Sequence, residues 1–293
     1  MARMIAKTLH KIRCAVFGDP PPLVAVVRLY GVIAPGRRFR AGLNLASVAP
    51  QLERAFSMPG LAAVALQINS PGGSPVQSAL ITKRIRDLAR EKHVPVLVFA
   101  EDVAASGGYM LALAGDEIFA NESSIVGSIG VVSSGFGFTE AIKKLGVERR
   151  LYTAGESKAM LDAFQEEKAE DVERLKAIQG DIHEHFKSLV RERRGKRLKG
   201  LRTHIFSGDV FTGTEAVKLG LIDGIGDIRG ILRERFSKKV RLRLVEERKP
   251  RFGALLGLRR GFEESAETGG MADLPGGLLS AIEERLFWNR FGL

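Results

Sequence analysis

Residues Leu61–Ser74 read LAAVALQINSPGGS. Leu61–Ile68 is an apolar run without alternation, the pattern of a strand buried on both faces. Asn69-Ser-Pro-Gly-Gly-Ser74 breaks the run, and Val76–Glu91 then carries helical periodicity. The same unit recurs on either side. Leu23–Ile33 is a β-branched, apolar strand, and Leu45–Phe56 is helical until Met58-Pro59-Gly60 ends it. Val94–Ala100 (VPVLVFA) is a third strand, and Ser106–Leu113 a compact helix of small residues. Glu117–Ala120, Gly127–Val132 and Arg149–Thr153 read as short strands, with Thr139–Leu145 helical between the last two. Strands that alternate with helices and are uniformly apolar predict an α/β fold, a mainly parallel sheet covered by helices.

Beyond this core the texture changes. Gln165–Arg194 is a long charged helix, Gly195–Gly200 a basic loop and Thr214–Leu219 another helix. Val240–Val245 alternates like a one-sided strand. At the N-terminus, Met1, Ile5, Leu9, Ile12 and Val16 share one face of a predicted helix, opposite Arg3, Lys7 and Lys11. Asp19-Pro-Pro-Pro22 ends that helix. Residues 258–276 are Gly-rich and polar, a linker, and Leu278–Leu293 is a short apolar helix bearing Trp288. The expected organisation is residues 1–22 as a basic amphipathic helix and linker, 23–245 as the main domain, and 246–293 as a C-terminal linker and helix.

The 293 residues carry 45 Lys and Arg against 34 Asp and Glu, a net charge of +11. Nucleic acid, an anionic membrane and a solubility bias are the candidate reasons for such an excess. Cys14 is the single cysteine, which excludes a disulfide framework within the chain and a multi-cysteine metal site. No run approaches 18 uninterrupted apolar residues, so a transmembrane helix is not expected, and the N-terminus lacks the pattern of a signal peptide. The expected address is the cytoplasm. Residues 1–17 are suited to peripheral contact with an anionic membrane or to packing against protein.

Three stretches can carry chemistry. In Asn69–Ser74, Gly72 and Gly73 permit unusual backbone angles, so exposed N–H groups there could receive an oxyanion; an ordinary turn capped by Ser74 is the other reading. In Ala104-Ala-Ser-Gly-Gly-Tyr109, Ser106 stands where a loop enters a helix, flanked by residues too small to block access. It is either a nucleophile or a helix cap. In Gly155-Glu-Ser-Lys158, the lysine is either a solvated charge or, beside Ser106, a general base, as in serine–lysine variants of the nucleophile–base pair. His10, His93, His183, His185 and His204 all lie outside the Gly-rich loops.

These stretches, INSPGGS (Ile68–Ser74), ASGGYMLALAGDEIFANESSIVGSIGV (Ala105–Val131), GESKAMLDAF (Gly155–Phe164) and FTGTEAVKLGLID (Phe211–Asp223), occur in an order that resembles the signal peptide peptidase A family of serine proteases, peptidase family S49, in its short SohB-like form. The resemblance spans roughly residues 23–236. It implies a Clp protease/crotonase-like fold of repeated βαβ-type units. It also implies a Ser-Lys dyad of Ser106 and Lys158 and an oxyanion hole from Gly72 or Gly73 with the Ser106 N–H. Ser128 matches a serine that orients the lysine. Ser157 and Ala163 depart from the family pattern, which has an aromatic residue before the lysine and a proline before the following phenylalanine. The implied activity is endoproteolysis of apolar peptides such as remnant signal peptides, without cofactor or metal. The implied assembly is a ring-like homo-oligomer with each dyad within one chain. Two other readings stay open: a crotonase-like acyl-CoA enzyme, and a non-enzymatic binding module using the basic run Lys187–Arg202. No nucleic-acid motif accompanies that run, and no specific nucleic acid is expected as a partner.

Overall fold

The computed structural model describes residues 20–35, 42–155, 158–200 and 202–246, with 285–286 and 288–291 near the C-terminus. The expected helices at residues 1–17 and Leu278–Leu293, and the linker at 258–276, fall wholly or mostly outside the described residues. The strands are β1 (Leu23–Tyr30), β2 (Leu61–Ser70), β3 (Val96–Ala105), β4 (Glu117–Ala120), β5 (Ile125–Gly127), β6 (Val210–Thr212), β7 (Gly224–Ile225) and β8 (Arg241–Leu244). The α-helices are α1 (Leu45–Phe56), α2 (Pro75–Lys92), α3 (Gly107–Ala112), α4 (Thr139–Lys144), α5 (Ala169–Arg194), α6 (Arg202–Ile205), α7 (Gly213–Leu219) and α8 (Ile228–Phe236).

One sheet runs in the order β6-β5-β3-β2-β1-β8, with β4 also beside β3 and β7 beside β4. Every pairing is parallel except β5 with β6. The expected α/β architecture with a mainly parallel sheet is therefore present. Alternate side chains of a strand point to opposite faces. On one face Leu29, Leu66, Ile68 and Val98 pack with Leu52, Ile81, Ile85 and Tyr109 from the helices. On the other, Val24, Val26, Ala63, Ala65 and Leu97 pack with Leu232 of α8. Burial on both sides is why these strands lack a polar alternation.

Local chemistry fixes the helix starts. Asn44 accepts a hydrogen bond from Ser47 N (3.1 Å), and Ser47 Oγ accepts one from Asn44 N (3.2 Å), a reciprocal cap for α1. Ser74 caps α2, and Pro75 occupies the first helical position, where its missing N–H costs nothing.

Two expected strands need correction. The segment predicted at Gly127–Val132 ends its pairing at Gly127, because Ser128 turns to a φ of +52° and gives its N–H to Asp209 O (2.7 Å). Arg149–Thr153 is not a strand. It belongs to a largely exposed arm, residues 132–168. There Arg149 and Arg150 reach Asp162 (3.2 Å) and Glu148 (2.8 Å), and no neighbouring strand among the described residues offers a ladder.

Much of the basic run turns inward. Arg193 donates to Leu113 O and Gly115 O (both 2.8 Å), Arg86 to Ala114 O (3.1 Å), and Arg197 to Asp116 O (3.2 Å). These guanidinium groups satisfy the carbonyls at the end of α3 and in the turn after it. Arg194, 3% exposed, forms a two-pronged pair with Asp223 (2.8 and 3.1 Å) and donates to Gly220 O (2.8 Å). Asp223 also accepts from Ile118 N (2.8 Å), so one carboxylate joins α5, β4 and the turn after α7. Removing one partner of a buried pair strands the other charge. Asp223→Ala is expected to lower unfolding stability by about 3 kcal/mol, read from urea denaturation. A loss under about 1 kcal/mol would show that water solvates Arg194 without its partner.

Candidate active site

Ser106 stands between the end of β3 and the start of α3, with φ +53° and ψ −123°. A non-glycine residue in this region is strained, and such strain concentrates at functional positions. The same sharp strand-to-helix turn presents the nucleophile in hydrolases built on parallel sheets. The flanking hydrogen bonds hold Ser106 there. Its N–H donates to Gly127 O (2.8 Å), and its carbonyl accepts from Met110 N (3.0 Å).

The Asn69–Ser74 turn packs directly against this elbow. A Cβ added to Gly72 would lie 2.8 Å from both Gly107 N and Ser106 Cβ, and one on Gly107 would lie 3.3 Å from Gly73 N. A Cβ on Gly73 would overlap the Ile33 carbonyl, and one on Gly108 the Ser70 carbonyl. Gly72 and Gly73 also have φ of +106° and +135°, angles that glycine alone adopts without strain. Hydrogen bonds from Ile33 N to Gly72 O (2.8 Å) and Ser74 N to Ile33 O (2.7 Å) hold the turn. Ser70 Oγ donates to Gly31 O (2.7 Å) and accepts from Gly72 N (3.2 Å).

This accounting narrows the expected oxyanion donors. The Ser106 N–H is committed to Gly127 O, and the Gly72 N–H faces Ser70 Oγ. Among the described residues, the N–H groups of Gly73 and Gly107 have no acceptor. Both glycines and Ser106 line one cavity, with about 300 Å³ of open space including its mouth. Pro75, Met110, Val131, Ile182 and Phe186 give it apolar walls, and His185 of α5 contributes an imidazole.

Below the elbow the packing is tight. Tyr109 is fully buried and donates from its hydroxyl to Leu221 O (2.7 Å), which ties α3 to the segment Phe211–Asp223. Burial pushes the Tyr109 phenol upward, so it stays a neutral donor. Thr82 Oγ1 of α2 donates to Met110 O (2.9 Å). On the other side, His183 Nε2 lies 2.9 Å from Ile129 O, which pins α5 to the loop after β5.

The other predicted site residues are placed as follows. Ser128 is buried, 4% exposed, next to the Gly127 carbonyl that holds Ser106. Lys158 lies on the arm, exposed, with its N–H on Gly155 O (3.2 Å), and it is not among the residues lining the Ser106 cavity. Ser157 is outside the described residues. Ala163, the second departure from the family pattern, accepts from Phe138 N (2.6 Å). Phe138 in turn stacks at 6.2 Å on Phe136 and 5.7 Å on Phe164, while Phe136 is 80% exposed and Tyr152 89%. Among the described residues no His, Cys, Asp and Glu cluster could hold a metal ion.

The structure thus brings Ser106, Gly72 and Gly73 together and adds Gly107, Ser70 and His185, which the sequence reading left aside. Gly107 carried a legible signal, since a glycine immediately after the serine leaves its N–H unobstructed. His185 is six residues short of Arg191 on a charged helix, and nothing in the sequence tells which face meets the cavity.

Residues 88–241, just over half of the chain, match the profile of Peptidase family S49. The chain belongs to that family. It is 31% identical over 209 residues to Protease 4 of Haemophilus influenzae, covering 70% of this chain and 33% of that protein. It is 32% identical over 167 residues to the chloroplastic serine protease SPPA of Arabidopsis thaliana, covering 57% of this chain and 24% of that one. A protein of Brucella abortus named Na(+)/H(+) antiporter NhaA is 55% identical over 274 residues, which is 92% of this chain and 37% of the Brucella protein. The chain therefore spans well under half the length of these curated relatives.

The close packing of the elbow gives a test. Alanine in place of glycine favours a helix interior by about 1 kcal/mol. At Gly108 the overlap with the Ser70 carbonyl outweighs that gain, because overpacking costs about 1–3 kcal/mol. Gly108→Ala is expected to lower the thermal midpoint in scanning fluorimetry. An unchanged or higher midpoint would mean that β2 and α3 can separate.

Proposed function

We propose that this chain is a serine endopeptidase with Ser106 as nucleophile and Lys158 as general base. The observation that carries this reading is the strained Ser106 elbow, set beside two backbone N–H groups without acceptors on one cavity. Ser106 Oγ attacks the peptide carbonyl carbon while its proton passes to Lys158 Nζ. The carbonyl oxygen, now an anion, receives hydrogen bonds from Gly73 N–H and Gly107 N–H. Lys158 then gives the proton to the leaving amine, and water, activated in the same way, releases the acyl group from Ser106. Ser128, buried beside the elbow, orients the lysine amine.

A lysine acts as a base once water is excluded from it. Lys158 sits on an arm that also exposes Val132, Phe136, Leu145, Val147 and Tyr152, and contiguous apolar exposure of that kind marks interfaces. Association of copies covers this arm, and the covered arm delivers Lys158 to a Ser106. The reading thus makes the homo-oligomer the active species. The apolar walls beside Ser106 suit a peptide with an apolar side chain next to the cut, in keeping with membrane-derived or unfolded segments. A membrane setting agrees with the name of the Brucella relative and with the basic, amphipathic residues 1–17. No helix among the described residues is long and apolar enough to cross a membrane.

A second reading follows from the cavity itself: His185 lines it and Lys158 does not, so the imidazole could accept the Ser106 proton. Hydrolysis of an apolar fluorogenic peptide separates the two. Ser106→Ala and Lys158→Ala are each expected to cut kcat by about a thousandfold, with His185→Ala staying within about tenfold of the parent. Loss of activity in His185→Ala with retention in Lys158→Ala would give the base to the histidine.

A further inference from the structure

β3 changes partners along its length. Leu97–Ala100 pairs with β4, and Val103–Ala105 pairs with β5. Against β2 the register shifts over the same stretch: Ile68 pairs with Ala100, and Ser70 with Ala104. Four steps of β3 are matched by two of β2, so β3 bulges at Glu101–Val103. Asn69 stands opposite that bulge and fills it with both ends of its amide. Its Oδ1 accepts from Val103 N (3.2 Å), and its Nδ2 donates to Asp102 Oδ2 (2.7 Å). Val103 is fully buried, so without Asn69 its N–H would face a costly loss. On its other side the Asn69 carbonyl accepts from Gly31 N (2.9 Å), which fixes β1 to the same residue.

The bulge decides where the elbow goes. Beyond it, Val103, Ala104 and Ala105 lead β3 along β5 to Ser106, whose N–H continues that pairing onto Gly127 O. Asn69 also immediately precedes the Ser70–Ser74 turn that carries Gly73. One side chain therefore sets the turn with Gly73 N–H and the elbow with Ser106 and Gly107 at a fixed separation.

We infer that Asn69 and Asp102 form a positioning pair for the reaction at Ser106, holding the β3 bulge so that nucleophile and oxyanion donors stay in register. The inference rests on Ser106 being the nucleophile. Small misplacements of reacting groups are costly in rate, on the order of a hundredfold for about 1 Å. Asn69→Asp keeps the shape and sets two carboxylates at the 2.7 Å contact. It is expected to lower kcat about tenfold, with KM within about twofold, and to slow fluorophosphonate labelling of Ser106 in parallel. Asp102→Ala, at an exposed position that tolerates truncation, is expected to lower kcat about fivefold at unchanged KM. Asn69→Asp with Asp102→Asn moves the amide to the other strand and rebuilds the bond. This double variant is expected to return kcat to within about threefold of the parent.

All variants are measured on the full chain, below its melting transition. A merely structural pair would lower the melting temperature and leave kcat of the folded enzyme unchanged, and that result overturns the inference. So does a double variant no better than Asn69→Asp. If Asn69→Asp does not fold, Asp102→Ala decides: parental kcat overturns the inference, and the fivefold loss supports it. Activity surviving in Ser106→Ala would instead overturn the reading of Ser106 as nucleophile.

Discussion

The turn after β2 and the Ser106–Gly108 elbow pack with no room for a further atom: a Cβ on Gly72 would meet Gly107 N and Ser106 Cβ, and one on Gly108 the Ser70 carbonyl. That approach needs glycine at Gly72 and Gly108, while Gly73 is held against the Ile33 carbonyl and Gly107 against Ser78 Oγ; Gly72 and Gly73 are also at positive φ. It also needs both stretches to end parallel neighbouring strands, so that their carboxyl ends meet at one edge of the sheet. Much of the remaining structure serves these two conditions. The apolar strands hold β2 and β3 in register, Ser70 and Ile33 tether the turn, and Tyr109 and Thr82 anchor the short helix under the serine. Strain at Ser106 persists because its neighbours over-determine it.

Part of the basic run has a structural use in the same fold. Arg86, Arg193, Arg194 and Arg197 answer carbonyls and carboxylates of the body around the end of α3 and the turn after α7, and so serve folding. The basic run Lys187–Arg202 is in this measure a clamp between α5 and the rest, which weakens its reading as a nucleic-acid surface. The exposed apolar surface lies elsewhere, on the arm that bears Lys158.

The parallel sheet was legible because strands buried on both faces cannot hide their composition: LAAVALQI and VPVLVFA admit few other readings. The tight turn at Gly72 and Gly73 was legible for a related reason, since close backbone approach leaves glycine as a visible trace. The failures are equally physical. Arg149–Thr153 has strand-like residues but no partner strand among the described residues, and pairing is a property of the neighbour as much as of the segment. The bond from the Ser106 N–H to Gly127 O was not legible, because its acceptor lies on another strand. Asn69 read as a turn residue, and only the shifted register of β3 shows what its amide does. His185 could not be assigned a face, because its helix is charged nearly all round.

In the proposed reaction the backbone, through Gly73 and Gly107, makes the anion-receiving site beside Ser106. A structure of the assembled protein with a peptide boronate or aldehyde bonded to Ser106 tests it most directly. The adduct oxygen is expected about 2.7–3.1 Å from both Gly73 N and Gly107 N, with Ser106 N still on Gly127 O. An adduct oxygen held by Ser106 N or Gly72 N, or turned away from both glycines, would contradict it.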